Sequence, residues 1–152
     1  MRELKGFYNE YYFLSNFYNC SVLYGGNRYM SSEAAFQAQK TLDEAVQWSF
    51  TGLSARDART KGKTVSLRPD WEEVKDEIMS EILGSKFSNP DLREKLLETD
   101  GIYLEETNAW HDNYWGNCIC DKCKDIPGGN MLGKTLMNLR EKIREQEMEY
   151  GK

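Results

Sequence analysis

The sequence predicts a mainly helical α+β fold with a small antiparallel sheet, built as a single domain over residues 1–152. Three features carry this reading. Several stretches place apolar residues at helical spacing behind residues that cap helix starts. One short pair of β-prone runs flanks a Gly-Gly-Asn turn. The length suits one hydrophobic core, and no internal repeat, linker or low-complexity tract divides it.

The elements follow in order. Residues 6–30 are rich in aromatics, and Val22-Leu23-Tyr24, Gly25-Gly26-Asn27 and Arg28-Tyr29-Met30 read as a hairpin. Ser31 and Ser32 are natural N-caps for a first helix over about 31–41. If it is helical throughout, Glu33, Phe36, Gln37 and Lys40 share one face, with Glu33 and Lys40 roughly 10 Å apart along the axis. An ordinary amphipathic helix with a solvated face would show the same spacing. Thr41-Leu42-Asp43-Glu44 reads as a capping box for a second helix to about Phe50. Ser54 opens a short basic third helix to about Lys61, with Gly62 ending it.

Pro69-Asp70 opens a fourth helix, with Asp70 as N-cap and Trp71, Val74, Ile78 and Ile82 as its core stripe to about Lys86. Asn89-Pro90 starts a fifth, to about Glu98. Gly101 breaks it, and residues 102–107 alternate like a strand. Residues 108–130 form the longest irregular stretch, of a length that is usually functional or poorly ordered. A last helix starts near Asn130 with a stripe of Leu132, Leu136, Leu139 and Ile143.

Composition narrows the function. Hydrophobic residues at 39% and charged ones at 30% exclude a disordered chain. A net charge of −5 argues against broad, non-specific duplex binding, which needs many cationic phosphate contacts. No apolar run reaches the roughly 20 residues of a membrane span, and Met1-Arg2-Glu3-Leu4-Lys5 lacks a signal-peptide core, so a cytoplasmic protein without membrane partners is expected. Four cysteines, three of them bunched, do not form a secreted disulfide framework.

The single histidine, His111, excludes schemes needing two, and nucleophile-elbow, P-loop and dinucleotide-binding glycine patterns are absent. Carboxylates, a lysine, amides and aromatics remain. That inventory suits hydrolysis of a glycosidic bond to a flat base: aromatics stack the base, amides and hydroxyls bind the sugar, and one acid carries the proton. Cys118, Cys120 and Cys123 contain one Cys-x-x-Cys half-site. A structural zinc would need His111 or Cys20 as fourth ligand; the alternative is a set of reduced thiols in a surface loop. The helical stripe favours a core role for Trp71, while burial alone explains Trp115, in its polar loop, less well. The basic run Arg56 to Arg68 is either a solvated face or a phosphate contact.

Six segments in order resemble the YbiA-like family, also called NADAR: Phe13-Leu14-Ser15-Asn16-Phe17; Ser32-Glu33 with Phe36-Gln37-Ala38-Gln39-Lys40; Asp70-Trp71 with Val74-Lys75 and Met79; Lys86-Phe87-Ser88-Asn89-Pro90; Asp112-Asn113-Tyr114-Trp115-Gly116; and Asn130-Met131-Leu132-Gly133-Lys134-Thr135-Leu136-Met137 ending in Arg140. The cysteine-bearing insert after Gly116 departs from the family pattern. The resemblance implies a mainly helical α+β fold and N-glycosidase activity on ribosyl C–N bonds. The substrates it implies are ribosylamino-pyrimidine phosphates of the riboflavin pathway, or ADP-ribose attached to guanine, with contact to modified nucleic acid.

Carried over residue by residue, the resemblance implies a catalytic set of Glu33, Lys40 and Asp112, with Glu33 as acid/base. Lys40 either holds a phosphate or ribose oxygen or attacks C1 of the opened sugar as a Schiff-base nucleophile. The implied substrate-binding set is Ser15, Asn16, Phe17, Phe36, Gln37, Trp71, Tyr114, Trp115 and Gly116. No catalytic metal or required cofactor is expected. The alternative function is a non-catalytic module that binds ADP-ribose or a related nucleotide.

Overall fold

The computed structural model describes Arg2–Tyr150. In chain order the elements are β1 (Arg2–Lys5), a 3-10 helix (Asn9–Leu14), β2 (Val22–Tyr24), β3 (Asn27–Tyr29), α1 (Ser32–Ala38), α2 (Glu44–Trp48), α3 (Ala55–Gly62), α4 (Trp71–Lys86), α5 (Pro90–Glu98), β4 (Ile102–Glu105), β5 (Thr107–Asn108), β6 (Asn117–Cys118) and α6 (Met131–Tyr150). The mainly helical α+β class expected from the sequence is the class found. The chain divides into two compact units, one of Asn16–Pro90 and one made of the segments up to Ser15 and from Asp91 onward.

In the Asn16–Pro90 unit, β2 and β3 form the expected antiparallel hairpin, with Val22 opposite Tyr29 and Tyr24 opposite Asn27. Gly25 and Gly26 both have positive φ, which a two-residue turn matched to strand twist requires. Asn27 is therefore in the strand and not in the turn. Helix α1 contacts β2, β3, α2, α3 and α4 and is the centre of this unit. Its N-cap Ser31 accepts from the Ala34 N–H at 3.0 Å. All seven of its residues are buried, so it has no solvated face. Ala34, Ala35 and Ala38 present little bulk, which lets neighbouring elements approach closely. Gly62 of α3 comes so near that a Cβ there would lie 2.0 Å from Gln37 Oε1.

The expected extension of the first helix through Lys40 is corrected: α1 ends at Ala38. Gln39 and Lys40 instead donate three residues back, to Phe36 O and Gln37 O, tightening the last turn. The Lys40 carbonyl then accepts from Arg68 N–H at 2.7 Å.

Two caps also differ from expectation. The N-cap of α2 is Asp43, which accepts from Ala45 N and Val46 N at 2.9 and 3.2 Å, while Thr41 takes the Asp43 N–H. A carboxylate at a helix N-terminus is a stronger acceptor than a hydroxyl two residues earlier. Asp70 precedes α4 but makes no side-chain cap. Its carboxylate takes the Arg68 guanidinium in a fork, at 2.6 and 2.9 Å, a charge-assisted pairing that outcompetes a neutral amide. Within α4, Trp71, Ile78 and Ile82 are buried and Val74 half-buried, and the stripe ends on Lys86.

In the other unit, β1 pairs with β4 in parallel, Arg2 opposite Ile102 and Lys5 opposite Glu105. A second parallel pair joins β5 to β6. The sequence reading contained neither β1 nor a parallel pairing. The segment Arg2–Lys5 carries no alternation of its own, and its partner is far along the chain. Helix α6 packs on β4, with Leu132, Leu136 and Ile143 buried and Leu139 half-buried. Buried Arg140 donates to Thr99 O, Thr99 Oγ1 and Ile102 O at 2.8, 3.0 and 2.9 Å, tying α6 to the turn between α5 and β4. Among the described residues, no helix is long and apolar enough to cross a membrane.

Candidate active site

The Asn16–Pro90 unit holds Asn16, Phe17, Glu33, Phe36, Gln37, Lys40 and Trp71; the other unit holds Ser15, Asp112, Tyr114, Trp115 and Gly116.

Glu33 lies in the first turn of α1 with 9% of its surface exposed. Its Oε1 accepts from Gln37 Nε2 at 2.9 Å, the i, i+4 geometry of a helix. Its N–H donates to Asn16 O at 3.0 Å. The neighbouring Ser32 hydroxyl donates to Asn16 Oδ1 at 2.8 Å, and Asn16 Nδ2 reaches Met79 Sδ at 3.7 Å. A carboxylate and a carboxamide are therefore held together by α1 and the segment before the hairpin. Gln37 Oε1 is buried and has no hydrogen-bond donor among the described residues. The amide orientation follows from Glu33, since a carboxylate requires the NH2 end to face it. Phe36 and Trp71 are buried and lie against each other, ring centroids 4.9 Å apart.

Lys40 is half-buried in the turn after α1. Burial lowers its pKa; Glu33 opposes the shift, and Arg59 and Lys63 add to it. A lysine depressed in this way holds more neutral amine at a given pH than an exposed one. The basic run is not uniformly solvated: Arg56 and Lys63 are exposed, while Arg59 lies over the Phe17 ring, 5.5 Å from its centroid.

In the other unit, Ser15 donates its N–H to Tyr12 O at the end of the 3-10 helix. Asp112 organises its loop: its Oδ1 accepts from the N–H groups of Tyr114 and Trp115 at 3.1 and 2.9 Å. The carbonyls of Tyr114 and Trp115 accept from the N–H groups of Met131 and Leu132. Two otherwise orphaned donors at the start of α6 are satisfied in this way. Tyr114 and Trp115 meet edge to face, centroids 4.9 Å apart. Gly116 is required by close approach: a Cβ there would lie 2.1 Å from Glu106 O.

Sequence reasoning assigned no role to Lys86, which is 1% exposed. Its ammonium lies 5.7 Å from the Tyr18 ring centroid and 5.3 Å from that of Phe87. The signal was present, since Lys86 follows Ile78 and Ile82 at four-residue steps along the α4 stripe. Burial lowers its pKa to about 8, with Cys20 opposing. The unfolded chain holds this proton up to about pH 10.4. Between these two values the unfolded state binds more protons, so this group makes stability rise with pH. Its penalty is fully present below pH 8. In urea unfolding, the stability of wild type relative to Lys86→Met is expected to rise by about 3 kcal/mol from pH 8 to 10.5. A difference independent of pH would place the lysine charge outside the low-dielectric interior.

Comparison with known proteins places this geometry in context. The NADAR domain family model matches residues 6–144. N-glycosidase YbiA of Shigella flexneri is 37% identical over 141 residues, 89% of this chain and 83% of the relative. A riboflavin biosynthesis protein of Vibrio vulnificus is 35% identical over 139 residues, 88% of this chain but 36% of that longer protein. The NMR structure of Escherichia coli YbiA superposes with a TM-score of 0.82 at 34% identity, covering 98% of this chain and 90% of that one. A family match over nearly the whole chain, with relatives at this identity and a superposable fold, establishes that the chain belongs to the NADAR domain family.

Proposed function

We propose that this NADAR-family N-glycosidase cleaves the C–N bond between ribose C1 and the nitrogen of a ribosylated base or ribosylamine, with Glu33 as its acid/base. The observation that carries the reading is a nearly buried carboxylate whose Oε1 accepts from Gln37 Nε2 at 2.9 Å. Protonated, Glu33 donates to the departing nitrogen; ionised, it activates the water that attacks C1. Asn16 and Asp112 bind or orient ribose, and Tyr114 and Trp115 stack on the base. Lys40 holds a phosphate or ribose oxygen, or attacks C1 of the ring-opened imine by amine exchange. Its lowered pKa favours the second of these roles, which needs a neutral amine.

The substrate is ADP-ribose on guanine or a ribosylamino-pyrimidine phosphate. The second finds support in the name of the Vibrio relative. No cofactor takes part in this scheme. The partner is a small nucleotide or a modified base within nucleic acid, met in the cytoplasm and not at a membrane.

Chromatographic release of ADP-ribose from an ADP-ribosylated guanine oligonucleotide, or of ribose phosphate from a ribosylamino-pyrimidine phosphate, tests the reading. Wild type is expected to turn over at least one of them. Lys40→Ala is expected to suppress turnover, and borohydride to trap sugar on Lys40 only if the imine route operates. Binding of ADP-ribose without release from either substrate would replace hydrolysis with a binding role.

A further inference from the structure

Four side chains outside the acid/base constellation converge in the loop that follows β5. The one-atom donors of His111, Cys118, Cys120 and Cys123 all lie within 4.8 Å of one another. His111 Nδ1 is 3.4 Å from both Cys123 Sγ and Cys120 Sγ. A tetrahedral site with Zn–S of about 2.3 Å and Zn–N of about 2.0 Å has edges of about 3.8 Å between sulfurs and about 3.5 Å between nitrogen and sulfur. The observed cluster is already close to those dimensions.

The backbone is also shaped for it. His111 has φ +70°, a left-handed conformation that a histidine adopts at a cost. That turn brings its N–H to Cys118 Sγ at 3.3 Å. Cys118 is fixed in β6, and its own N–H donates to Asn113 Oδ1 at 2.9 Å. The N–H groups of Cys123 and Lys124 both return to Cys120 O, at 3.0 and 2.8 Å, in a tight turn that places the two thiols side by side. Cys20, the other thiol that the sequence offered as a fourth ligand, lies in the Asn16–Pro90 unit and is absent from the cluster.

We infer that His111, Cys118, Cys120 and Cys123 bind one zinc ion as a closed structural site that fixes the loop carrying Asp112, Tyr114 and Trp115. Soft thiolates with one imidazole select zinc over oxygen-preferring cations such as magnesium or calcium. Four protein ligands leave no open position, so the ion orders the chain and takes no part in the reaction. Binding replaces three thiol protons with one Zn2+, and those protons leave to solvent. The ends of the segment 111–123 are thereby tied to one point, and the residues from Asp112 to Gly116 leave directly from a ligand. This site stands independently of the hydrolytic reading.

The test is elemental analysis of the full-length protein, purified without chelators and with its thiols kept reduced. About one equivalent of zinc is expected. Cobalt(II) added to the metal-stripped protein is expected to give the intense visible bands of a tetrahedral thiolate site. Cys123 is buried and its replacement disturbs packing by itself, so the exposed His111→Ala variant carries the ligand assignment. It is expected to weaken zinc at least tenfold in competition with a chromophoric chelator, whereas Cys20→Ser retains wild-type affinity. Removing zinc is expected to speed amide exchange across residues 111–123 while leaving α4 protected. Protein with neither zinc nor the cobalt bands overturns the proposal. Loss of metal in Cys20→Ser with retention in His111→Ala overturns the ligand set. Unchanged exchange after stripping overturns the role in fixing the loop.

Discussion

Glu33→Gln is expected to reduce turnover by about a hundredfold or more while leaving substrate affinity within a few-fold of wild type. The substitution isolates proton transfer. Gln has the volume of Glu, and its carbonyl oxygen can still accept from Gln37 Nε2, so the hydrogen bond at 2.9 Å and the packing of α1 survive. What disappears is the ability to donate a proton to the leaving nitrogen and then to take one from water. A hundredfold loss corresponds to about 2.7 kcal/mol of transition-state stabilisation. Glu33→Ala would be a poorer experiment, because it leaves the buried Gln37 amide without its acceptor and mixes catalysis with stability. Single-turnover product release measured beside binding of ADP-ribose separates the two effects. Equal product release by wild type and Glu33→Gln would remove Glu33 from the acid/base role.

Gly133→Ala is expected to destabilise the protein by about 3 kcal/mol or more, although alanine is the better helix former. In α6 a Cβ at this position would lie 2.1 Å from the backbone carbonyl of Leu104 and 2.5 Å from the Asn130 amide. Neither neighbour can yield cheaply. Leu104 is fixed in β4, and its carbonyl accepts from Asn130 Nδ2 at 2.9 Å. Asn130 also accepts from Glu106 N–H at 2.9 Å. The helix must back away from the strand and open those bonds. For a chain of this size the loss corresponds to a drop of roughly 6–12 °C in Tm. Gly84→Ala in α4 is the control. A Cβ there meets nothing within 4 Å, so the same chemical change is expected to stabilise by about 0.5–1 kcal/mol. Thermal unfolding of both variants checks the contrast, and a neutral Gly133→Ala would show that α6 and β4 have room to spare.

Much of this protein is legible in its sequence because the signals are local. The Ser54 cap, the Pro90 start and the α4 stripe each depend on residues within a turn or two of one another. The hairpin follows from two glycines free to take positive φ. The NADAR assignment rests on short strings whose order along the chain is itself the evidence. Other outcomes depended on residues distant in sequence, or on competition among close neighbours for the same partner. Arg2–Lys5 became a strand only because Ile102–Glu105 lies beside it, and nothing in its own four residues requires that. Spacing gave α1 a polar face, and packing against five other elements buried all of it. Local competition between hydrogen-bond partners moved the α2 cap to Asp43 and drew Asp70 to Arg68.

By itself, then, the sequence determined the fold class, most helix positions, the hairpin and the family, since caps, periodicity and motif order are properties of neighbouring residues. Tertiary structure decided the environments on which chemistry depends. It ended α1 before Lys40 and lowered the pKa of that lysine by burial. It put Lys86 where its charge is costly and gathered His111, rather than Cys20, to the three thiols. A side chain's desolvation and its partners are set by whichever distant segments fold against it; a local pattern such as the α4 stripe marks the face that is buried but not the partners a charge meets there.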